Sequence, residues 1–283
     1  MNIQEQAKKA ETLRKLHAGP RILVLPNAWD VVSARIVEEL GFPAVATTSA
    51  GVANSLGYRD GQRISRDEMF DVVGRIARAV NVPVTADAEA GYGLTPKEMA
   101  ETARALVNAG AVGLNFEDVT GDDERSLVET GLQVEKIKAL HETSASMGVK
   151  LVLNARTDVY LMPIGPTETR FERTVERLRA YRKAGADCLF APGLRDKDTI
   201  AKIVKAVEGP VNILLQSGGP TLAELQKMGV ARASIGSGLM RASLGTARTV
   251  AKALMELQDH TPLLEGAIPY AELNAMLERK REN

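Results

Sequence analysis

The sequence predicts an α/β protein built as a closed (β/α)8 TIM barrel, and two observations carry this prediction. Eight short apolar runs rich in Val, Ile and Leu alternate with longer amphipathic stretches along the 283 residues. Apolar residues at successive positions are typical of strands buried on both faces, as in a parallel sheet whose crossovers are helices. Eight such units favour a closed barrel over an open doubly wound sheet.

The predicted strands follow the apolar runs in chain order. Each run is short enough for a strand and too short for a typical helix. The strands are ILVLP (22–26), PAVATTS (43–49), VPVTADAE (82–89), VGLNFED (112–118), KLVLNAR (150–156), ADCLFAP (186–192), VNILLQ (211–216) and ARASIG (231–236).

Between the strands, apolar residues recur at helical spacing. The clearest examples are DVVSARIVEEL, SRDEMFDVVGRIARAV, TPKEMAETARALVNAG, LQVEKIKALHETSASMG and TRFERTVERLRAYRKAG. Residues 237–258 would form the eighth helix, and residues from about 261 a C-terminal helical extension. No linker or low-complexity tract divides the chain, so we expect a single domain over 1–283. Glycines, which favour left-handed helix caps, end several helices just before the next strand: Gly41, Gly110, Gly148, Gly185 and Gly229.

Composition excludes several classes of protein. Thirty-six basic residues balance thirty-six acidic residues, so no overall charge favours nucleic acid or an anionic membrane as a partner. The single cysteine, Cys188, rules out an internal disulfide or a CxxC metal site. No apolar run approaches the ~18 residues that span a bilayer, and the N-terminal segment lacks a signal-peptide apolar region. We therefore expect a cytoplasmic protein without a nucleic-acid or membrane partner.

Polar side chains gather at the carboxyl ends of the predicted strands, where barrels of this kind carry their active sites. Residues i and i+2 of a strand face the same side, so Asp87 and Glu89 should project side by side. Glu117 ends the next strand and should face the same mouth. Three carboxylates without thiolate or imidazole suit a hard dication, which predicts Mg²⁺, with Mn²⁺ as the alternative. Each acid could instead form only a helix cap or a salt bridge.

Arg156, at the end of the fifth strand, is the candidate anchor for an anionic substrate. A guanidinium can make two parallel hydrogen bonds to a carboxylate or phosphonate. Its alternative role is to neutralise Glu117 or Asp158 inside the barrel. Asn212, on the seventh strand, is a candidate substrate-binding amide. The three histidines lie outside every predicted strand end, so none is a good candidate for a general acid.

Three motifs, in this order and spacing, resemble the isocitrate lyase and phosphoenolpyruvate mutase superfamily: ADAEAGYG (86–93), NFEDVTGD (115–122) and NARTD (154–158). The resemblance runs from LPNAWDVVSARIVEELGF to GSGLMRASL, which is most of the chain. It implies a barrel that holds Mg²⁺ at its mouth and exchanges its C-terminal helix between subunits of a homodimer or homotetramer. It also implies chemistry on a small 2-oxo acid through an enolate.

The resemblance assigns roles to individual residues. Asp87 matches the direct metal ligand, while Glu89 and Glu117 match acids that hold the ion, commonly through waters. Arg156 matches the substrate-anchoring arginine, and Asp60 matches an acid of the loop after strand two. The candidate catalytic residues are Asp60, Glu117 and Arg156. The region that binds the substrate carboxylate or developing oxyanion matches Ser49 and the backbone N–H groups of Ala50 and Gly51.

Two loops depart from the family pattern. Members that cleave isocitrate or methylisocitrate carry a Lys-Cys-Gly-His loop after strand four, where this chain reads VTGDDERSLVETG. Phosphonomutases carry Lys and Asn in that loop and a histidine after strand six, where this chain has Ala191 and Pro192. The charged loop 119–130 is a candidate lid, with a solvated surface loop as the alternative. Candidates for proton transfer at the far end of the substrate are Asp60, Tyr92, Asp122, Asp123, Glu124 and Arg125.

These observations predict a Mg²⁺-dependent lyase that cleaves a C–C bond in, or decarboxylates, a small 2-oxo or 2-hydroxy dicarboxylic acid. A C–P bond enzyme, such as a phosphonopyruvate hydrolase or phosphoenolpyruvate mutase, is an alternative within the same family. An alternative of another class is a 2-oxo acid binding protein without turnover.

Overall fold

The computed structural model of the protein describes residues 2–119, 126–162, 165–256 and 260–278. Its strands are β1 Leu23–Leu25, β2 Asn27–Ala28, β3 Val45–Thr47, β4 Val84–Asp87, β5 Gly113–Glu117, β6 Val152–Arg156, β7 Cys188–Phe190, β8 Val211–Leu214 and β9 Arg232–Ser234. All of these strands pair in parallel, in the order β1-β9-β8-β7-β6-β5-β4-β3-β2.

β1 and β2 are two pieces of one barrel strand that Pro26 interrupts. Leu23 of β1 pairs with Arg232 of β9, and Asn27 of β2 pairs with Ala46 of β3. Proline has no N–H group and cannot donate to the ladder, which accounts for the break. Because this one segment pairs with the strands at both ends of the sheet, the sheet nearly closes into a barrel. The predicted (β/α)8 barrel is confirmed.

The helices flank this barrel, and neighbouring helices pack against one another around it. Four helices begin with a reciprocal cap between a Ser, Thr or Asp and the residue three positions later, as in Ser65 and Glu68 at the start of the fourth helix. The helices are α1 Ile3–Leu16, α2 Val31–Glu39, α3 Ser49–Ser55, α4 Arg66–Ala79, α5 Pro96–Ala109, α6 Thr130–Ser146, α7 Arg170–Lys183, α8 Lys197–Val207, α9 Leu222–Lys227, α10 Gly238–Met255, α11 Thr261–Leu264 and α12 Tyr270–Glu278.

Helix α1 closes the amino ends of the strands. Its Gln6 amide donates to the carbonyl oxygens of Val107 and Ala111 just before β5, each at 2.9 Å. Its Arg14 guanidinium bonds Asp187, just before β7, at 2.8 Å. Leu13 is fully buried against Gly113, where an added Cβ would meet its side chain at 3.0 Å. The opposite, carboxyl ends of the strands are the open end of the barrel.

Helix α10 buries little of its surface against the rest of this chain. Met240 is its buried residue, whereas Leu244, Leu254 and Met255 are exposed. Helices α11 and α12 follow it along the chain. A single domain over 1–283 with a C-terminal extension from about 261 stays a prediction. The exchange of a C-terminal helix between subunits stays a prediction, as does the homodimer or homotetramer. None of the described helices combines the length and apolar character needed to cross a membrane.

Candidate active site

A polar cavity of about 220 Å³ opens where the carboxyl ends of the strands meet. Residues that end strands form much of its wall, among them Asp87 of β4, Phe190 of β7 and Ser234 of β9. A second cavity, of about 830 Å³, lies beside it among loop and helix residues that include Tyr92 and Lys136. The smaller cavity holds the polar strand ends, so we take it as the candidate site. Of the predicted site residues, it is lined by Ser49, Ala50, Asp60, Asp87, Arg156 and Asn212.

Asp87 is held in one orientation by neutral donors. Its Oδ2 accepts from the Ser49 backbone N–H at 3.0 Å and from the Ser49 hydroxyl at 2.7 Å. Its Oδ1 accepts from the Asn115 amide at 3.0 Å, and Asn115 in turn accepts from Asn154 at 2.9 Å. No described lysine, arginine or histidine forms an ion pair with Asp87. The carboxylate is therefore oriented while its charge has no direct counter-ion in the described chain.

Ser49 and Ala50 open helix α3, a short helix that sequence patterning did not predict. Thr48 caps this helix, and its hydroxyl accepts from the Gly51 N–H at 3.3 Å. A Cβ at Gly51 would lie 2.9 Å from the Cβ of Trp29, so a glycine is needed for the close packing of α3 on the first loop. The Gly51 N–H group is thus engaged in the cap, and its predicted contact with substrate, like that of Ala50, stays a prediction.

Glu89 lies behind the cavity wall in a turn of left-handed residues. The φ angles of Glu89, Gly91 and Tyr92 are 48°, 90° and 58°, and a Cβ at Gly91 would approach the Phe116 ring to 2.8 Å. The Tyr92 hydroxyl donates to Glu89 at 2.9 Å, and the Gln62 backbone N–H donates to its other oxygen. Burial, reinforced by the charge of Asp87, raises the pKa of Glu89 to about 7.

Glu117 and Arg156 are strand neighbours that form an ion pair at 2.6 Å. Arg156 also holds Asp158 with two bonds, Nε to Oδ1 at 2.5 Å and Nη2 to Oδ2 at 2.7 Å. Burial raises the pKa of Glu117 well above its ordinary value; Arg156 opposes this shift, and Asp158, Asp87 and Glu89 reinforce it. A guanidinium has five N–H donors, so Arg156 retains donors for a substrate on the cavity wall.

Asp118 forms a structural network directly behind the site. It is fully buried and accepts from the Tyr181 hydroxyl at 2.7 Å, from Arg177 at 3.1 Å and from the Asp158 backbone N–H at 3.0 Å. These bonds tie the end of β5 to helix α7 and to the turn after β6. The sequence signal was the spacing of Arg177 and Tyr181, which places both on one face of α7.

The remaining predicted residues divide into three groups. Asp60 is exposed at the cavity and accepts from the Gly61 N–H at 3.0 Å. The amide of Asn212 donates to the Ser234 hydroxyl at 3.2 Å on the cavity wall. The proton-transfer candidates of the loop after β5 (Asp122, Asp123, Glu124 and Arg125) lie outside the described residues. One wall residue that no motif singled out is Arg232, a cation inside a buried strand.

Comparison with known proteins identifies relatives across almost the whole chain. An uncharacterized protein of Mycobacterium tuberculosis is 35% identical over 93% of this chain and 94% of its own. The oxaloacetate decarboxylase of Pseudomonas savastanoi pv. phaseolicola is 32% identical over 72% of this chain and 70% of its own. The crystal structure of 2,3-dimethylmalate lyase superposes with a TM-score of 0.83 at 28% identity, covering 95% of this chain and 94% of that one.

The family model described as phosphoenolpyruvate phosphomutase matches residues 13–255, which include every strand of the barrel. The chain therefore belongs to the PEP mutase/isocitrate lyase superfamily.

Proposed function

We propose that this protein is a Mg²⁺-dependent lyase that cleaves a carbon–carbon bond in a small 2-oxo or 2-hydroxy dicarboxylic acid, or decarboxylates it. The observation that carries the proposal is the polar cavity in which an oriented Asp87 and the guanidinium of Arg156 line the same wall. Its volume, about 220 Å³, lies below the range of sites for drug-sized ligands, which favours a small acid. Relatives named as an oxaloacetate decarboxylase and a 2,3-dimethylmalate lyase support the same reaction class.

The donor chemistry of the site fits a hard dication. Among the described residues, no group of three or more His, Cys, Asp or Glu side chains is arranged to ligate one ion directly. Asp87 alone of the three predicted acids lines the cavity, while Glu89 and Glu117 are buried and are not among its lining residues. Mg²⁺ usually keeps several waters and uses one or two carboxylates, so direct contact with Asp87 and water-mediated contact with the glutamates meets its needs.

The electrostatic interactions among Asp87, Glu89 and Glu117 also favour a bound dication. Asp87 raises the pKa of both Glu89 and Glu117, so each carboxylate feels the negative charge of its neighbours. A bound dication relieves this repulsion. When bound there, it would stabilise the negative charge that develops on the keto oxygen of the substrate as the bond to C3 breaks.

The side chains of this chain bind and orient the acid. Ser49 and Asn115 fix both oxygens of Asp87, so the metal-binding carboxylate needs no rearrangement when a ligand arrives. The remaining N–H donors of Arg156 bind a carboxylate of the substrate, while Asp158 keeps the guanidinium plane in position. Asp60, exposed at the cavity, is our candidate for the proton transfer that completes turnover.

Substrate and reaction are tested together with a panel of 2-oxo and 2-hydroxy dicarboxylic acids that also includes phosphonopyruvate. We expect pyruvate or glyoxylate to be released with Mg²⁺, to stop with EDTA and to resume when Mg²⁺ is restored. Turnover of phosphonopyruvate but of no other panel member would instead establish C–P chemistry, the alternative that the phosphoenolpyruvate phosphomutase family match keeps open. Release of phosphate would indicate a hydrolase, and formation of phosphoenolpyruvate would indicate a mutase. Calorimetric binding without any product would establish a 2-oxo acid binding protein.

The metal assignment predicts a specific loss in the variant Asp87→Asn. The amide keeps the shape of the side chain but removes the charge, so turnover should fall by at least about 100-fold. Mg²⁺ should also no longer raise the melting temperature in a thermal unfolding assay. Asp71→Asn, an exposed acid on α4, is the matched control and should behave as the parent protein. An unchanged response to Mg²⁺ in Asp87→Asn would refute the assignment.

A further inference from the structure

Arg232 is a buried cation inside the barrel whose bonding capacity is largely unused. Only 2% of the residue is exposed, and its Nε and Nη1 atoms have no hydrogen-bond partner among the described residues. It forms no ion pair with any described carboxylate. Arg156, on the same cavity wall, contrasts with it because its three nitrogen atoms all bond to Glu117 or Asp158.

A guanidinium in this position requires a partner. Removing an unpaired charge from water is strongly unfavourable, and burying its N–H groups without acceptors adds to that penalty. Lysine or histidine could lose the proton, but a guanidinium stays charged at any ordinary pH. The N–H groups of Arg232 at Nε and Nη1 are therefore available to acceptors of a ligand that enters the cavity.

The surroundings of Arg232 are polar but carry little negative charge. Its strand neighbours in the ladder are Asn212 and Leu23. Asn212 and Ser234 bond to each other at 3.2 Å and line the cavity beside it. The charged or titratable groups that act on it electrostatically are Asp87, Cys188 and His17, of which Cys188 is buried with a raised pKa of about 12 and stays a neutral thiol.

Asp87 and Arg232 line one cavity at different depths. Asp87 ends β4 at the open end of the barrel, whereas Arg232 begins β9 and so lies deeper. An elongated acid with one end at Asp87 would extend towards Arg232. The cavity thus offers one anion-binding group near the mouth, Arg156, and a second one below it.

We propose that Arg232 binds the distal carboxylate of the substrate and so selects dicarboxylic over monocarboxylic acids. This inference rests on the proposed function, since it concerns the far end of the same ligand. Asn212 and Ser234 supply neutral hydrogen bonds beside the bound carboxylate. The ion pair forms in a site shielded from water, so the second carboxylate contributes more to affinity here than it would at the surface.

The first test uses the unaltered protein and two 2-hydroxy acids of equal chain length, malate and 2-hydroxybutyrate. Calorimetry with Mg²⁺ should give malate an affinity higher by on the order of 10- to 100-fold, the value of a hydrogen-bonded charged pair. Equal affinities for the two acids would overturn the proposal without any variant. If neither acid nor any 2-oxo acid binds, the proposed function has failed as well, and that outcome is distinct from equal binding.

The second test uses Arg232→Met, which keeps the volume and removes the charge. Malate affinity should fall by on the order of 10- to 100-fold while 2-hydroxybutyrate binding stays within about twofold. Arg232→Lys should keep part of the preference, because an ammonium supplies charge without the two-pronged geometry. Arg75→Met, on the exposed face of α4, is the matched control and should bind both acids as the parent does.

Thermal unfolding separates this role from a purely structural one. A buried cation that serves only ligand binding destabilises the ligand-free protein. Arg232→Met should therefore melt at the same temperature as the parent or at a higher one. A lower melting temperature, with both acids weakened equally, would assign Arg232 to the fold, satisfied by buried water, and overturn the proposal.

Discussion

His17, at the end of helix α1, makes a testable contribution to the acid sensitivity of the fold. Its Nδ1 lies 2.8 Å from the Leu13 carbonyl oxygen, and its Nε2 is buried without a described partner. Burial, aided by the nearby charge of Arg232, lowers the pKa of His17 from 6.5 to about 4. The folded state thus keeps this imidazole neutral at pH values where the unfolded chain protonates it.

The sign and size of the effect follow from linkage. Between pH 6.5 and about pH 4 the unfolded state binds more protons at His17, so the free energy of unfolding falls as the pH falls through this window. Above pH 6.5 the contribution is fully present. At 1.36 kcal/mol for each pKa unit, the difference between the two pKa values corresponds to about 3 kcal/mol of stability lost by pH 4. This is a substantial part of the free energy of unfolding of a typical protein.

The measurement is urea unfolding at a series of pH values for the parent and for His17→Gln. The variant cannot titrate, so its stability should decline by about 3 kcal/mol less than that of the parent across the window. Only the difference in slope is compared, since the substitution also changes packing. His260→Gln, at an exposed position, is the control and should keep the parental slope. Parallel curves for His17→Gln and the parent would contradict a buried neutral imidazole.

Two further predictions concern the polar network at the strand ends. Asp118→Ala leaves the partly buried Arg177 without its acid and should cost about 3 to 5 kcal/mol in urea unfolding, against less than about 1 kcal/mol for the exposed pair broken by Asp71→Ala. A loss as small as that of the control would show that the Asp118 ion pair contributes no more to stability than an exposed pair. Arg156→Lys should weaken binding of a dicarboxylic acid by roughly tenfold or more in calorimetry, because a point charge cannot hold Asp158 and the substrate together; near-parental affinity would move the anchor elsewhere.

The barrel was predictable because its strands are buried on both faces and read as apolar runs. What the pattern could not show is that the first strand continues beyond Pro26, since Asn27 and Ala28 look like the start of a loop. Only the pairing with β3 makes them a strand. The short helix α3 was missed for a related reason: Ser, Ala and Gly are weak helix signals, and Thr48 is recognisable as its cap only once the fold positions it.

The site residues were predictable in position but less so in bonding. Their positions at the ends of predicted strands placed Asp87, Glu117 and Arg156 at one end of the barrel, yet whether an arginine faces a substrate or an acid depends on partners from other strands. Both roles proposed for Arg156 are compatible with the structure, because Glu117 and Asp158 leave some of its donors unused. Arg232 also carries a signal in the sequence, namely a charged residue inside a buried strand.

Arg156 and Arg232, which both line the cavity, differ in how their positive charge is neutralised. Arg156 is placed among acids, so its charge is balanced before a ligand arrives and its geometry is fixed by Asp158. Arg232 forms no ion pair with a described acid and feels the charge of Asp87 only from a distance, so full neutralisation of its charge depends on what enters the cavity. An arginine that acids already hold in place can stabilise negative charge on a substrate without moving. An arginine without an ion-pair partner gains most from binding a negatively charged ligand. The first arrangement suits the end of the substrate where bonds change, and the second suits the end that must be recognised.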